Sequence, residues 1–263
     1  MSTLSQTRLA LTGSSGQLGT VLRRHWAAQG LRFISTDRVE PAERLPAERF
    51  SCCDLADADA VQAVLQGVDA VVHLGGISVS APFERILSAN IAGTYNIYEA
   101  ARRNGIRRVV FASSNHVTGY YGSDQLVSPQ MPRRPDSYYG VSKSFGEDLA
   151  QLYWDKYGVE TVSLRIASCA PRPTNVRMLS SWLSFDDFFT LVERAILAPA
   201  VGHTVVYGVS ANPTSYWTRD GAAAIGWVPT SNAESFRAEI DPSLGIYPQQ
   251  GGTFIDIDET TMS

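Results

Sequence analysis

LALTGSSGQLG, residues 9–19, packs a short apolar run, a glycine-rich turn and the start of a helical pattern into one stretch. The glycines fall at Gly13, Gly16 and Gly19, a G-x-x-G-x-x-G spacing. In a strand–turn–helix unit, Gly13 allows the tight turn, Gly16 lets a pyrophosphate approach the main chain, and Gly19 lets the helix pack closely on the sheet. The N–H groups of the first helical turn, from Gln17 and Leu18, then face the phosphates. A glycine motif alone is weak evidence, but this one sits between the right elements. Asp37 closes the next strand pattern about 20 residues on, where a carboxylate can accept hydrogen bonds from an adenosine ribose. Such a carboxylate repels a 2′-phosphate, which favours NAD over NADP, although the adjacent Arg38 could offset that preference.

Outward from this turn, apolar runs alternate with helical patterns. Strands are expected at Leu9–Leu11, Arg32–Thr36, Phe50–Cys53, Ala70–Leu74, Arg108–Ala112, Thr161–Ile166 and Thr204–Tyr207. Several carry Val, Ile and Phe on consecutive positions, as strands buried on both faces do. Helices are expected at Gln17–Gln29, Asp57–Gln66, Phe83–Asn104 and Tyr139–Tyr157, with Asp57 as an N-cap and Gly30 and Gly105 as C-caps. This alternation predicts an α/β fold with a doubly wound parallel sheet of the Rossmann type. Asp54 and Leu55 after the third strand would then lie along an adenine, and Leu74 and Gly75 after the fourth would give a dinucleotide its path over the sheet edge. An equal reading makes Asp54 an ordinary turn residue.

Past residue 167 the pattern loosens. Ala170–Ser184 reads as a loop over a site, and Asn212–Pro248 as a small cap with weak secondary structure. The expected organisation is one domain over 1–263: a dinucleotide-binding core at 7–167, then a small C-terminal substrate lobe and tail at 168–263, with a strand returning near 204–207. The acidic tail GGTFIDIDETTMS is expected to be loosely held.

Composition narrows the classes. A net charge of −4 over 263 residues speaks against a nucleic-acid surface. No apolar run approaches the ~20 residues of a membrane span, and the N-terminus lacks a signal-type core. Cys52, Cys53 and Cys169 form an odd set without metal-ligand spacing, so no metal is expected and a reducing cytoplasm is the natural compartment.

The fifth strand ends in Phe111-Ala112-Ser113-Ser114-Asn115-His116, at the sheet edge where open α/β folds place ligands. Tyr139 and Lys143, four apart, share a helix face. Oxidising an alcohol needs a base for the hydroxyl proton as hydride leaves carbon. A free phenol, with a pKa of ~10, is a poor base at neutral pH. A nearby ammonium and a positive nicotinamide ring would stabilise the phenolate. Ser114 could hold the substrate oxygen. Tyr138 fits no such role and is assigned to packing.

The glycine turn, Asp54-Leu55, Asn90, Ser114 and the Tyr139-x-x-x-Lys143 pair together resemble the extended short-chain dehydrogenase/reductase family over roughly residues 7–210. The resemblance implies that Tyr139 is the acid/base, that Lys143 orients the nicotinamide ribose and tunes the phenol, and that Ser114 positions substrate. Asn90 belongs either to a proton relay or to a helix bridge. Sugar dehydratases of this family carry an acidic pair where this chain has Asn115-His116, and epimerases need a larger C-terminal region. Both departures point to a small substrate and simple hydride transfer.

LGGIS at 74–78, FASSNH at 111–116, SYYGVSKSFGE at 137–147 and RIASCAPRPTNVRMLSSWLSFDD at 165–187 are similar to the uronate dehydrogenases within that family. This implies NAD-dependent oxidation of D-glucuronate or D-galacturonate at C1 to an aldarolactone. It further implies that Ser78, Ser114, Asn115, His116 and Ser168 hydrogen-bond the sugar, that Arg177 grips its carboxylate, and that the Cys169 main chain touches the nicotinamide. A homo-oligomer is also implied. Another small-sugar dehydrogenase or epimerase of the same fold, or a non-catalytic NAD-sensing protein, remains open at this point. His25, His73 and His203 are expected to be structural, and Trp182, Tyr216 and Trp217 to be lobe core.

Overall fold

A computed structural model describes residues 3–262. Seven parallel strands form the sheet: β1 (Leu9–Thr12), β2 (Phe33–Asp37), β3 (Glu48–Cys52), β4 (Ala70–His73), β5 (Arg108–Ser114), β6 (Glu160–Ile166) and β9 (His203–Gly208). Their spatial order is β3-β2-β1-β4-β5-β6-β9. The order reverses between β1 and β4, and ligands bind in the crevice that such a switch opens at the carboxyl ends of the strands. Two short strands, β7 (Ser168–Cys169) and β8 (Trp182–Leu183), pair separately beside this edge.

Helices cover both faces, and β1 shows how its side chains divide between them. Leu9 and Leu11 join a core with Trp26 of α1 (Gln17–Ala28). Ala10 points the other way, toward Val61 of α2 (Ala58–Val64) and Ile97 and Tyr98 of α4 (Gly93–Asn104). Asp57 caps α2 by accepting from Ala60 N, and Gly105 takes the left-handed conformation after α4.

The long helix expected at Phe83–Asn104 is three pieces in series. α3 (Phe83–Ile86) and α4 are joined by a π-helical segment, Leu87–Ala92. Asn90 lies in that segment. Its amide donates to Ile77 O at 2.9 Å and Ser142 Oγ at 3.0 Å, and its Oδ1 accepts from Ile77 N at 2.7 Å. This is the bridging role, tying the loop after β4 to α5 (Tyr138–Tyr157).

After residue 167 the chain is more ordered than its pattern suggested. Following the single turn α6 (Met178–Ser181), α7 (Phe185–Leu197) is a full helix that the sequence reading missed. Its signals were present. Ser184 accepts from Asp187 N as N-cap, and Phe188, Leu191, Val192, Ala195 and Ile196 repeat at helical spacing and are buried against the sheet. The cap beyond holds only α8 (Asp220–Ala224) and a 3-10 turn at Ala233–Glu239. Trp182 and Trp217 are core there, Trp217 stacking on Tyr207 at 5.2 Å.

The tail is tied to the body of the fold at several points. Gln250 N donates to Tyr121 O and Gly251 N to Gly119 O. A 3-10 turn at Gly252–Asp256 follows, and Glu259 accepts from Tyr138 N at 2.6 Å. Main-chain bonding lays the segment across the carboxyl edge of the sheet; Ser263 lies outside the described residues.

Candidate active site

Every residue singled out above for cofactor or substrate lines one cavity of about 810 Å³ at the carboxyl ends of the strands. Its floor is the glycine turn. Gly13 has φ +68°, and a Cβ there would come within 2.6 Å of Gly75 N, so the turn and the end of β4 touch main chain to main chain. A Cβ on Gly16 would meet nothing nearer than Gly13 O at 3.3 Å, so the space above Gly16 is left for a ligand. No side chain caps the N-terminus of α1 there, so its first N–H groups are free to receive an anion. Thr12 Oγ1 and His73 Nδ1, 2.7 Å apart, brace the turn from beneath. Burial lowers the His73 pKa to about 3, so this histidine is neutral and structural.

Asp37 stands at the end of β2, accepting from Ser15 N at 3.0 Å. Arg38 turns toward Asp54, with Nε 3.4 Å from its carboxylate and both side chains well exposed. The cation that could have offset Asp37 is therefore partnered. A pyrophosphate over the helix end and a ribose beside Asp37 fit the groups present.

Tyr139 and Lys143 reach the cavity because α5 is locked in register. Glu147, one more turn along the same face, is fully buried and receives Arg165 Nε and Nη2 from β6 at 2.8 Å each, plus Ser113 Oγ from β5 at 2.6 Å. Removing one partner from a buried pair of this kind costs about 3–5 kcal/mol. A Cβ on Gly146 would fall 2.3 Å from the Phe111 ring, so α5 also lies as close to β5 as glycine permits.

Burial sets the electrostatics of the pair in the protein alone. Burial pushes the Tyr139 phenol up to about 12, with a hydrogen bond to Ser114 pulling partly back. Burial also lowers Lys143 to about 8. Its Nζ lies over the Phe111 and Tyr139 rings, at 5.1 and 5.6 Å from their centroids. In the protein alone, desolvation outweighs the expected lowering of the phenol by its lysine neighbour.

Across the cavity, Asn115 and His116 follow Ser114. With its amide oriented to satisfy its neighbours, Asn115 donates to Ile166 O at 3.2 Å and accepts from Arg177 Nη2 at 3.1 Å. His116 Nδ1 meets Asp136 Oδ2 at 2.7 Å, and its ring stacks on Phe254 at 3.8 Å. Asp136 and Phe254 went unnoticed in the sequence. Asp136 looks like a loop acid before a helix, and Phe254 like part of a tail. Ser78 lies open on the loop after β4, among the cavity residues. The Cys169 N–H is already given to Ala167 O at 3.0 Å, so a main-chain contact with a ligand falls to its carbonyl.

Arg177 is the most informative member. It donates Nη1 to Ser168 Oγ at 3.0 Å and Nε and Nη2 to Gln250 O at 2.9 and 2.7 Å. Burial lowers its pKa. Among the described residues no carboxylate lies within ion-pair distance of it, whereas buried Arg23, Arg108 and Arg165 each have one.

Comparison with known proteins identifies the family. Residues 9–182 match the NAD dependent epimerase/dehydratase family. Uronate dehydrogenase of Pseudomonas syringae pv. tomato is 50% identical over 258 residues, covering 94% of this chain and 93% of that protein. Uronate dehydrogenase of Agrobacterium fabrum is 50% identical over 256 residues, covering 95% and 97%. A crystal structure of a uronate dehydrogenase mutant from Agrobacterium tumefaciens complexed with NAD superposes with a TM-score of 0.92 at 48% identity, covering 96% of this chain and 98% of that one. The chain belongs to the NAD dependent epimerase/dehydratase family.

Proposed function

We propose that this family member is an NAD-dependent dehydrogenase that oxidises a cyclic hexuronate, D-glucuronate or D-galacturonate, at C1 to the aldarolactone. The observation that carries the substrate class is Arg177, a largely shielded guanidinium facing the cavity with no carboxylate of the described residues within ion-pair distance. A shielded cation of this kind is stabilised by an anionic ligand, and its planar fork suits a carboxylate. About 50% identity to uronate dehydrogenases along nearly the whole chain supports the same reading.

NAD+, when bound, accepts the hydride from C1 and adds a positive ring beside the phenol. Tyr139 takes the C1 hydroxyl proton at its phenolic oxygen. Ser114 donates a hydrogen bond to that hydroxyl and keeps it aimed at Tyr139. Lys143 holds the nicotinamide ribose and keeps positive charge near the forming phenolate. With the hydride and proton gone, C1 is a carbonyl bonded to the ring oxygen, which is the lactone. Asn115, His116, Ser168 and Ser78 orient the remaining hydroxyls, Asp37 selects NAD over NADP, and the Cys169 main chain borders the nicotinamide.

Following NAD+ reduction with glucuronate, galacturonate and glucose tests the assignment. Both uronates should be oxidised, with kcat/KM at least ~10-fold above that for glucose, as a charge-assisted contact implies. Equal use of glucose would remove the carboxylate from the argument. A homo-oligomer belongs to the same proposal. α3, the π-helical segment, α4 and α5 leave Phe83, Leu87, Tyr95, Val141, Leu152 and Tyr157 exposed, a surface suited to a second copy. A monomer by light scattering would refute it. Cys52, Cys53 and Cys169, all free thiols, suit a cytoplasmic enzyme.

A further inference from the structure

We infer that residues 249–252, near the C-terminus, form the seat that aims Arg177, with Gln250 as its positioning residue. The inference rests on the acid-sugar reading above and deepens it by naming what makes the clamp selective.

The guanidinium is divided between two tasks. Its Nε and Nη2 both donate to the Gln250 carbonyl, at 2.9 and 2.7 Å, while Nη1 turns to Ser168 Oγ at 3.0 Å. Nη2 also donates to Asn115 and Nη1 reaches Ser181 Oγ at 3.5 Å, but the Gln250 carbonyl alone holds two N–H groups at once, so the aim of the guanidinium depends most on where that main-chain oxygen stands. The planar fork has no freedom to pivot while two of its N–H groups are held.

Gln250 is unusual for a residue in a terminal segment. Its side chain is fully buried, and its Nε2 donates to Gly122 O at 3.0 Å and Gln125 O at 2.8 Å. Its main-chain N donates to Tyr121 O, and the next residue, Gly251, to Gly119 O. Its Oε1 has no partner among the described residues. A buried amide with an unpaired oxygen is a costly way to fill space that an apolar side chain could fill. What the amide does provide is a fixed link between the tail and the 119–125 loop. Gly252 completes the contact at φ +66°, where a Cβ would lie 3.1 Å from Arg177 Nε. Gln250 touches no substrate position. It acts through Arg177.

The test is a double-mutant cycle on the full-length enzyme, scored on KM for glucuronate and on kcat. Gln250→Leu removes both amide bonds at similar volume. It should raise the uronate KM on the order of tenfold, as expected when a charge-assisted hydrogen bond is misaligned but not abolished, while kcat changes far less. In the Arg177→Ala background the same substitution should raise KM less than about twofold, because coupled residues are non-additive. Gly252→Ala should act in the same direction and carries the test if Gln250→Leu does not fold, as judged by thermal melting and NAD+ titration. An unchanged uronate KM in Gln250→Leu overturns the inference. So does an equal rise with and without Arg177, which would mean general loosening of the lobe. If the wild type oxidises glucose as well as glucuronate, the acid-sugar reading itself has failed. If it discriminates and the cycle is additive, only the role of Gln250 has.

Discussion

From Gly13 round to Gly75 the cavity is bounded by main chain; from Ser114 across to Phe254 it is bounded by side chains. The first wall comes from consecutive strand ends and one helix N-terminus, with glycine wherever a ligand or a neighbouring strand approaches. The second gathers Ser114, Asn115, His116, Tyr139, Ser168, Arg177 and Phe254 from the end of β5, the start of α5, the α6 region and the tail. Main-chain groups recognise the phosphates that every dinucleotide shares, so the parallel sheet that creates the crevice suffices to place them, with Asp37 at a strand end for the ribose. A particular sugar has to be read by side chains, and these must be held by partners elsewhere. The contrast predicts that damage to the second wall is graded and specific, whereas damage to the first is seen in cofactor affinity.

The sharpest break should come at Tyr139. Tyr139→Phe removes the proton acceptor and little else, so turnover should fall by ~10²–10⁴-fold. NAD+ titration followed by fluorescence should be nearly unchanged, and near-normal turnover would take Tyr139 out of the mechanism.

Arg177→Ala ranks next. Loss of a hydrogen bond to a charged group is worth about 1.5–3 kcal/mol, so the uronate KM should rise roughly 10–100-fold, with the KM for NAD+ steady. An unaltered uronate KM would leave the second wall without a charge reader.

On the first wall, Gly16→Ala is the discriminating change. Gly16 has φ −71°, and the new methyl group meets only Gly13 O at 3.3 Å, so the fold should tolerate it. The methyl would instead stand where the pyrophosphate approaches. We expect the KM for NAD+ to rise on the order of tenfold, about 1.4 kcal/mol, with melting temperature and uronate KM nearly constant. A normal KM for NAD+ would mean the phosphates lie elsewhere.

A last effect falls on stability rather than on either substrate and concerns pH and the bracing under the first wall. Burial holds His73 near a pKa of about 3 against an ordinary 6.5. Between those values the unfolded chain binds a proton that the folded chain refuses. Stability from this group is therefore present above pH 6.5 and is lost progressively as pH falls toward 3. Denaturant unfolding between pH 7 and 4 should show a shallower acid loss in His73→Gln than in the wild type. Equal slopes would remove His73 as a contributor.

Legibility in the sequence followed the same division between walls. The seven strands and the glycine turn could be read because each follows from local periodicity and steric need. Asp37, Asp54 and Leu55 were candidates by their distance from those elements, and Tyr139 and Lys143 by their four-residue spacing and the family resemblance. Two omissions have different causes. α7 carried an apolar stripe and an N-cap that a closer count would have found. Asp136 and Phe254 carry no local signal, because each meets the ring of His116 only once distant parts of the chain are packed together. The burial that pushes the Tyr139 phenol up in the protein alone was hidden for a related reason. Proximity to Lys143 is visible in a sequence, but the depth of burial that outweighs it is not.

The chain's linear pattern alone determined the parallel α/β sheet, the dinucleotide turn and the Tyr139/Lys143 helix face. Each depends on contacts within a few residues or on strand burial. Tertiary structure decided which side chains share the substrate wall: that Asn90 bridges two elements, that Arg177 lacks an acidic partner among the described residues, and that the tail lies over the site on Gln250. These contacts join residues separated by long stretches of chain. Their hydrogen-bond geometry and desolvation exist only once the sheet, α5 and the tail are packed together.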